Sequence, residues 1–242
     1  MGQIDKLSVF LPAYNEGENL KNTVNNVIKN LKLNVPIWEL IIVDDGSKDN
    51  TGKIADDYAK KDKRIKVIHH NPNQGYGPAL ISGLYACKYP WISFIDADGQ
   101  FDFTEIKSFL ATQAKTKADL VIGYYKKRQV PFTRKLNTKI WQVIVWLMFG
   151  LNVKDIDCGF KLISKKVLGK IDKLQSKRGA FISSEFLIKS QKAGFKIVEI
   201  GVSHFSRAAG AATGSNPSVV FAGLKDLVRL WFKMNLLKKN ND

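Results

Sequence analysis

Trp91-Ile92-Ser93-Phe94-Ile95-Asp96-Ala97-Asp98-Gly99-Gln100 decides how the chain is read. Trp91–Ile95 is too short an apolar run for a helix and ends in a polar cluster. That combination predicts a strand buried on both faces. Two of the residues ending it are carboxylates, Asp96 and Asp98. In an extended turn, residues at this spacing can point toward one ligand. A carboxylate pair that leaves open positions suits Mg²⁺ or Mn²⁺. Asp and Gly are also common turn residues, so a solvated turn accounts for the same letters.

The layout recurs on either side. Leu7–Leu11 ends in Pro12-Ala13-Tyr14-Asn15-Glu16, and Leu40–Val43 ends in Asp44-Asp45-Gly46-Ser47. Helical patterns fill Glu16–Leu33, Asp49–Lys61 and Gly77–Cys87, with further strands at Ile65–Ile68 and Leu120–Ile122. This alternation predicts an α/β fold with a mainly parallel sheet and helices on both faces. Ligands bind beyond the carboxyl ends of such strands, so the three clusters predict one active edge. There, Asp44 or Asp45 can accept from a base N–H or a ribose hydroxyl. Gly46 allows a sharp turn, and Ser47 or Asp49 can cap the next helix. Tyr14 can stack on a nucleobase. Glu16 can bond the base or simply suit a helix start. Gly75-Tyr76-Gly77 does not follow the first strand, which argues against a dinucleotide fingerprint. His69 and His70 close a strand with no metal-ligand partner near them in sequence, and read as surface or helix-packing residues.

After Gly123 the pattern changes. Asp119 to Asp155 contains no acid between them, while Lys126, Lys127, Arg128, Arg134, Lys135, Lys139 and Lys154 fall in the gap. Ile140–Leu151 is almost wholly apolar and carries Trp141 and Trp146. A helix is expected near Ser184–Ala193, a strand at Phe195–Val202, and a loop from His204 to Asn216. Pro217 opens a last helix with Val220, Leu224, Leu227 and Trp231 on one stripe. The expectation is one fused domain, with a nucleotide-binding half at 1–123 and an acceptor-binding half at 124–242.

Composition narrows the partners. A net charge of +16 points to a polyanion, whether nucleic acid, anionic lipid or a phosphorylated substrate. A lysine-rich solvated surface gives the same total. Nucleic-acid binding needs basic residues interleaved with stacking aromatics, and Ile140–Leu151 is too apolar for that. No stretch reaches the roughly 20 apolar residues of a spanning helix. Met1–Lys6 lacks a signal layout, so a cytoplasmic location is expected. Cys87 and Cys158 read as small buried hydrophobes.

Together, the three ordered clusters resemble family 2 glycosyltransferases of the GT-A fold. Asp96-Ala97-Asp98-Gly99-Gln100, Asp157-Cys158-Gly159-Phe160-Lys161 and His204-Phe205-Ser206-Arg207-Ala208-Ala209-Gly210 are similar to the dolichyl- or polyprenyl-phosphate hexose synthase branch. The resemblance runs from about Leu7 to Trp231. It implies a nucleoside site at Pro12, Ala13, Tyr14, Glu16 and Asp44 or Asp45. It places a divalent metal and the diphosphate at Asp96 and Asp98, beside Ala97, with Gln100 positioning sugar or phosphate. Arg207 would hold the acceptor phosphate, and Glu185 would lie near the acceptor. The implied reaction is inverting transfer of a hexose from a GDP- or UDP-sugar to a polyprenyl phosphate. If the acceptor is instead a sugar hydroxyl, Glu185 is the expected base. The chain departs from the pattern after its fifth strand, where Gly123-Tyr124-Tyr125 lacks the usual Arg. Lys126 or Arg128 is the candidate substitute. Thr213 also stands where many relatives carry Lys. A lipid acceptor implies contact with the inner face of a membrane. Phe132–Leu151, basic at its start and then apolar with two Trp, is the expected contact; a helix buried under the sheet is the alternative.

Overall fold

The computed structural model describes residues 4–126, 132–176, 179–206 and 217–239, without the side chains of 132–135, 179–180, 217–222 and 236–239. Seven strands form one sheet: β1 (Lys6–Ala13), β2 (Ile37–Asp44), β3 (Ile65–His69), β4 (Trp91–Phe94), β5 (Leu120–Tyr125), β6 (Lys161–Ser164) and β7 (Ile197–Val202). Their order across the sheet is β3-β2-β1-β4-β6-β5-β7. All neighbouring pairs are parallel except those of β6, which runs antiparallel to both β4 and β5.

Strands β1 and β2 are near-continuous apolar runs because both faces are covered. Val9 and Leu11 face one core with α1 (Leu20–Asn34), α2 (Thr51–Lys61) and α4 (Ile106–Thr116). Phe10 faces the other, with α3 (Tyr76–Ala86), α5 (Phe132–Phe149), α7 (Gly179–Lys192) and α8 (Pro217–Lys239). A short α6 (Lys166–Lys170) follows β6. Gly83 brings α3 hard onto the sheet: a Cβ there would lie 2.2 Å from the Phe10 ring.

The parallel sheet with helices on both faces is as expected from the alternation. Strand β6 was not anticipated. Its four residues offer too short a pattern, and it is defined by pairing with β4 and β5 rather than by its own periodicity. Helix α1 starts at Leu20, later than Glu16, because Glu16 accepts from the Asn19 and Leu20 amides in a turn that precedes it. Among the described side chains of α8, Leu227 and Leu230 are buried, while Trp231 turns outward. The sheet continues across residue 123, since β5 pairs with both β6 and β7.

Candidate active site

The carboxyl ends of β1, β2 and β4 share one edge, because the three strands are parallel neighbours. Ala13 sits beside Asp44 in register. The chain beyond β4 stays close, with the Ala97 amide reaching Pro12 O. The strand order turns outward in both directions from β1, so this edge is also the topological switch point.

The first two clusters are stitched together. The Asn15 amide donates to Ser47 Oγ at 3.0 Å and the Lys48 amide to Asn15 Oδ1 at 2.8 Å. The Glu16 amide donates to Thr51 Oγ1 at 2.8 Å, and Gly17 to Asp49 Oδ2 at 3.0 Å. Asn15 holds a left-handed φ of 53°, which Asn tolerates better than most residues. Asp49 accepts from the Thr51 amide at the start of α2, whereas Ser47 serves Asn15 instead. Tyr14 remains exposed on the rim, while Glu16 is buried and accepts from Asn19 Nδ2.

Asp44 and Asp45 are both buried. Asp44 accepts from the Ser47 amide, and its second oxygen lies 2.9 Å from His69 Nδ1. The other ring nitrogen of His69 meets Asp56 at 3.1 Å. The bond to Asp44 raises the His69 pKa above its ordinary 6.5, against the opposing effect of partial burial. His70 pairs with Asp45 at 2.6 Å and with Ser82 Oγ at 2.9 Å. His69 is thus a surface residue and His70 packs on α3, as their sequence reading has it, and both also brace the acidic cluster.

Asp96 lies deepest. Tyr76 donates its hydroxyl to Asp96 Oδ1 at 2.7 Å. On the other side is Gly159, where a Cβ would stand 2.4 Å from Asp96 Oδ2. Burial pushes Asp96 up to about 7, and the Asp98 charge adds to the rise. The Tyr76 bond and the buried Lys161 ammonium oppose it. Lys161 is held by the Ile156 and Cys158 carbonyls. A carboxylate whose charge is disfavoured by burial and by its neighbour fits a divalent cation, which would relieve both effects. Among the described residues no cluster of three or more His, Cys, Asp or Glu suits a metal. A cation at Asp96 and Asp98 would therefore draw its remaining ligands from diphosphate oxygens and water.

Asp98 accepts from the Gln100 amide at 3.1 Å, across Gly99 at φ 73°. Gln100 bonds Phe205 twice: Nε2 donates to Phe205 O at 2.9 Å, and the Phe205 amide donates to Gln100 O at 3.0 Å. His204 packs on Phe101 and Tyr125. The start of the His204–Gly210 segment is thus fixed beside the acidic pair. Arg207, Arg128 and Thr213 lie outside the described residues. Lys126 pairs with Glu105 at 3.6 Å.

Glu185 belongs to a separate buried cluster on α7. It accepts from the Gln175 and Ser176 amides and from Lys189 Nζ at 2.6 Å. Both cysteines are buried as expected, with burial first among the causes that push their thiols up to about 12. Sequence reasoning missed Tyr76, Gly159 and Lys161. Only the Asp157–Lys161 motif carried a signal for the last two; nothing near Tyr76 marks it as a partner of Asp96.

Comparison with known proteins gives the family and the fold. The profile of Glycosyl transferase family 2 matches residues 8–172. The undecaprenyl-phosphate mannosyltransferase of Micrococcus luteus is 30% identical, over 85% of this chain and 86% of that protein. The dolichyl-phosphate beta-glucosyltransferase of Dictyostelium discoideum is 29% identical, over 94% of this chain and 74% of that protein. Glycosyltransferase AglD of Haloferax volcanii is 29% identical over 81% of this chain, which spans only 32% of AglD. Among solved structures, glucosyl-3-phosphoglycerate synthase from Mycobacterium tuberculosis, in complex with Mn²⁺, UDP-glucose and phosphoglyceric acid, superposes with a TM-score of 0.70. It covers 94% of this chain and 80% of its own, at 19% identity, and establishes the GT-A fold. With its ordered acidic clusters on one edge of that fold, the chain belongs to glycosyl transferase family 2.

Proposed function

We propose that the protein transfers a hexose from a nucleotide sugar to a polyprenyl phosphate, inverting the anomeric carbon, with Mg²⁺ or Mn²⁺ held by Asp96 and Asp98. The observation that carries this reading is the single edge on which Asp44, Asp96, Asp98 and Gln100 meet, with Gln100 bonded to the segment that leads to Arg207. The names of the relatives supply the acceptor class. Residues 1–123 form the nucleotide-sugar half and 124–242 the acceptor half.

Pro12, Ala13, Tyr14, Glu16 and Asp44 take the nucleoside, and Asp96 and Asp98 face the diphosphate across Ala97. When bound, the cation neutralises charge that builds on the departing diphosphate. An acceptor phosphate oxygen bonds to the anomeric carbon as the bond to the nucleoside diphosphate breaks. A phosphate monoester has a second pKa of about 6, so it arrives as an anion and needs no general base. The carboxylate of Glu185 is already engaged by two backbone amides and Lys189, which disfavours the variant in which it deprotonates a sugar hydroxyl. Arg207 clamps the acceptor phosphate, and Gln100 steadies the sugar or phosphate.

The acceptor lies in a membrane, and the protein meets the inner leaflet from the cytoplasm. Support comes from α5, where Leu136, Ile140, Val143, Trp146 and Leu147 are exposed beside the basic Lys139, and from Val228, Trp231 and Phe232 on α8. No helix among the described residues is long and apolar enough to cross a membrane.

The test is a screen of GDP- and UDP-hexoses with a short polyprenyl phosphate, with and without Mg²⁺ or Mn²⁺. Transfer is expected only with metal, and Asp98→Ala is expected to abolish it while the melting temperature holds. Full activity in excess EDTA overturns the metal assignment. Transfer to a sugar hydroxyl, but to no lipid phosphate, overturns the acceptor.

A further inference from the structure

The turn that carries the acidic pair has its middle peptide held from two sides. Ala97, between Asp96 and Asp98, is buried. Its amide reaches Pro12 O at the end of β1, at 3.4 Å. Its carbonyl accepts from the Thr23 hydroxyl at 3.2 Å. Thr23 lies in the first turn of α1 and is itself buried. Neither hold belongs to β4, the strand that delivers the turn.

The helix does not need this contact. A threonine in a helix ordinarily returns its hydroxyl to the carbonyl four residues back. Thr23 does reach Asn19 O at 3.2 Å, but that carbonyl already accepts the Thr23 amide at 3.1 Å. A hydroxyl has one proton to give. Among the described residues no other donor reaches Ala97 O. The hydroxyl also lies under the rest of the turn: a Cβ on Gly99 would come within 4.0 Å of Thr23 Oγ1 and of Asn19.

Asp96 and Asp98 flank the Ala97 peptide, so a rotation of that peptide moves both carboxylates together. Holding its amide and its carbonyl at once removes the rotation. A metal site works only when its ligands are held within about 0.5 Å of the productive geometry. The same turn of α1 is tied to Glu16. Glu16 O accepts the Asn19 and Leu20 amides, and Asn19 Nδ2 donates to Glu16 Oε2 at 2.8 Å.

We infer that Thr23 is a positioning residue of the transfer centre: its hydroxyl sets the Ala97 peptide, and with it the spacing of the Asp96 and Asp98 carboxylates. This rests on the reading that those two hold the cation. Partners that orient metal ligands typically change metal affinity by about 10–100-fold when removed.

The experiment measures protein-bound Mn²⁺ in the presence of GDP or UDP by electron paramagnetic resonance, against a blank of nucleotide alone. The melting temperature of each metal-free variant is measured beside it. Thr23→Val keeps the shape of the side chain and deletes the hydroxyl. It is expected to weaken Mn²⁺ binding at least about tenfold. Thr23→Ser keeps the hydroxyl and drops one methyl. It is expected to bind Mn²⁺ as the wild type does, whatever the lost methyl costs in melting temperature. If Thr23→Val does not fold, Thr23→Ala takes its place in the comparison with Thr23→Ser. A fall in melting temperature with Mn²⁺ affinity unmoved in the variant without the hydroxyl makes the bond structural only and overturns the inference. Equal loss of Mn²⁺ binding in that variant and in Thr23→Ser also overturns it, because the methyl would then matter and not the hydroxyl. Asp98→Ala tests the metal reading separately. Loss of Mn²⁺ there, with wild-type affinity in Thr23→Val, leaves that reading standing and removes the role of Thr23 alone. Absence of Mn²⁺ binding in the wild type overturns the metal reading, and the inference with it.

Discussion

At the scale of single residues, the acidic edge is built from carboxylates whose partners come from distant sequence. Asp96 and Asp98 were legible because a buried strand precedes them. Tyr76 and Gly159 were not, because their contact with Asp96 exists only once α3 and β6 are in place. The pairing of His69 and His70 with Asp44 and Asp45 was hidden for the same reason: sequence shows that the histidines end a strand, but not that the two carboxylates end the strand beside it. His69 gives a pH test. Its bond to Asp44 raises its pKa above 6.5, so the charged pair contributes stability that is fully present below that value. The contribution is lost as pH rises through the folded pKa. An NMR titration of the ring is expected to give a midpoint above 6.5 in the wild type. Asp44→Asn is expected to bring it down. An unchanged midpoint removes Asp44 as the cause.

At the scale of elements, α5 buries one side and exposes the other. Trp141, Ile144, Val145, Met148 and Phe149 pack into the core under the sheet, and the Trp141 indole donates to Ser184 Oγ. Leu136, Ile140, Val143 and Leu147 recur at helical spacing on the outer side, with Trp146 52% exposed next to them. An apolar run that covers most of a helix cannot declare which side the fold will bury, and here the fold buries only one. The outer side is expected to bind anionic vesicles at low salt and to release as salt rises, because basic residues near the helix contribute about 1 kcal/mol each at a charged leaflet. Burying a large apolar side chain is worth roughly 1.5–3 kcal/mol. Trp146→Glu is therefore expected to weaken co-sedimentation by at least about tenfold, with an unchanged melting temperature. Wild-type protein that stays in the supernatant at low salt, with acceptor lipid present, overturns the contact.

At the scale of the whole molecule, the halves read from sequence are not separable bodies. The sheet is joined across the midpoint: β4 pairs with β6, and β5 pairs with β6 and β7. A fragment ending at Gly123 would expose both sides of the truncated β5 and one side of β4. It is expected to show no dispersed amide spectrum, while the full chain unfolds in a single thermal transition. A folded fragment would overturn this view. The existence and parallel direction of the first four strands follow from alternation, but β6 does not, since a four-residue strand running backwards has no helix to announce it.

The reversed direction of β6 has a consequence for rigidity. Its amino end, not its carboxyl end, faces the active edge, so Gly159 arrives from the opposite direction to Asp96 while both are fastened to the same ladder. The Gly123 amide closes that ladder on Phe160 O at 2.9 Å. Two walls joined by sheet hydrogen bonds cannot part or close like a hinge without tearing the sheet. On this side the spacing between Asp96 and Gly159 is set by the sheet itself, and it is expected to stay the same whether the edge is empty or filled.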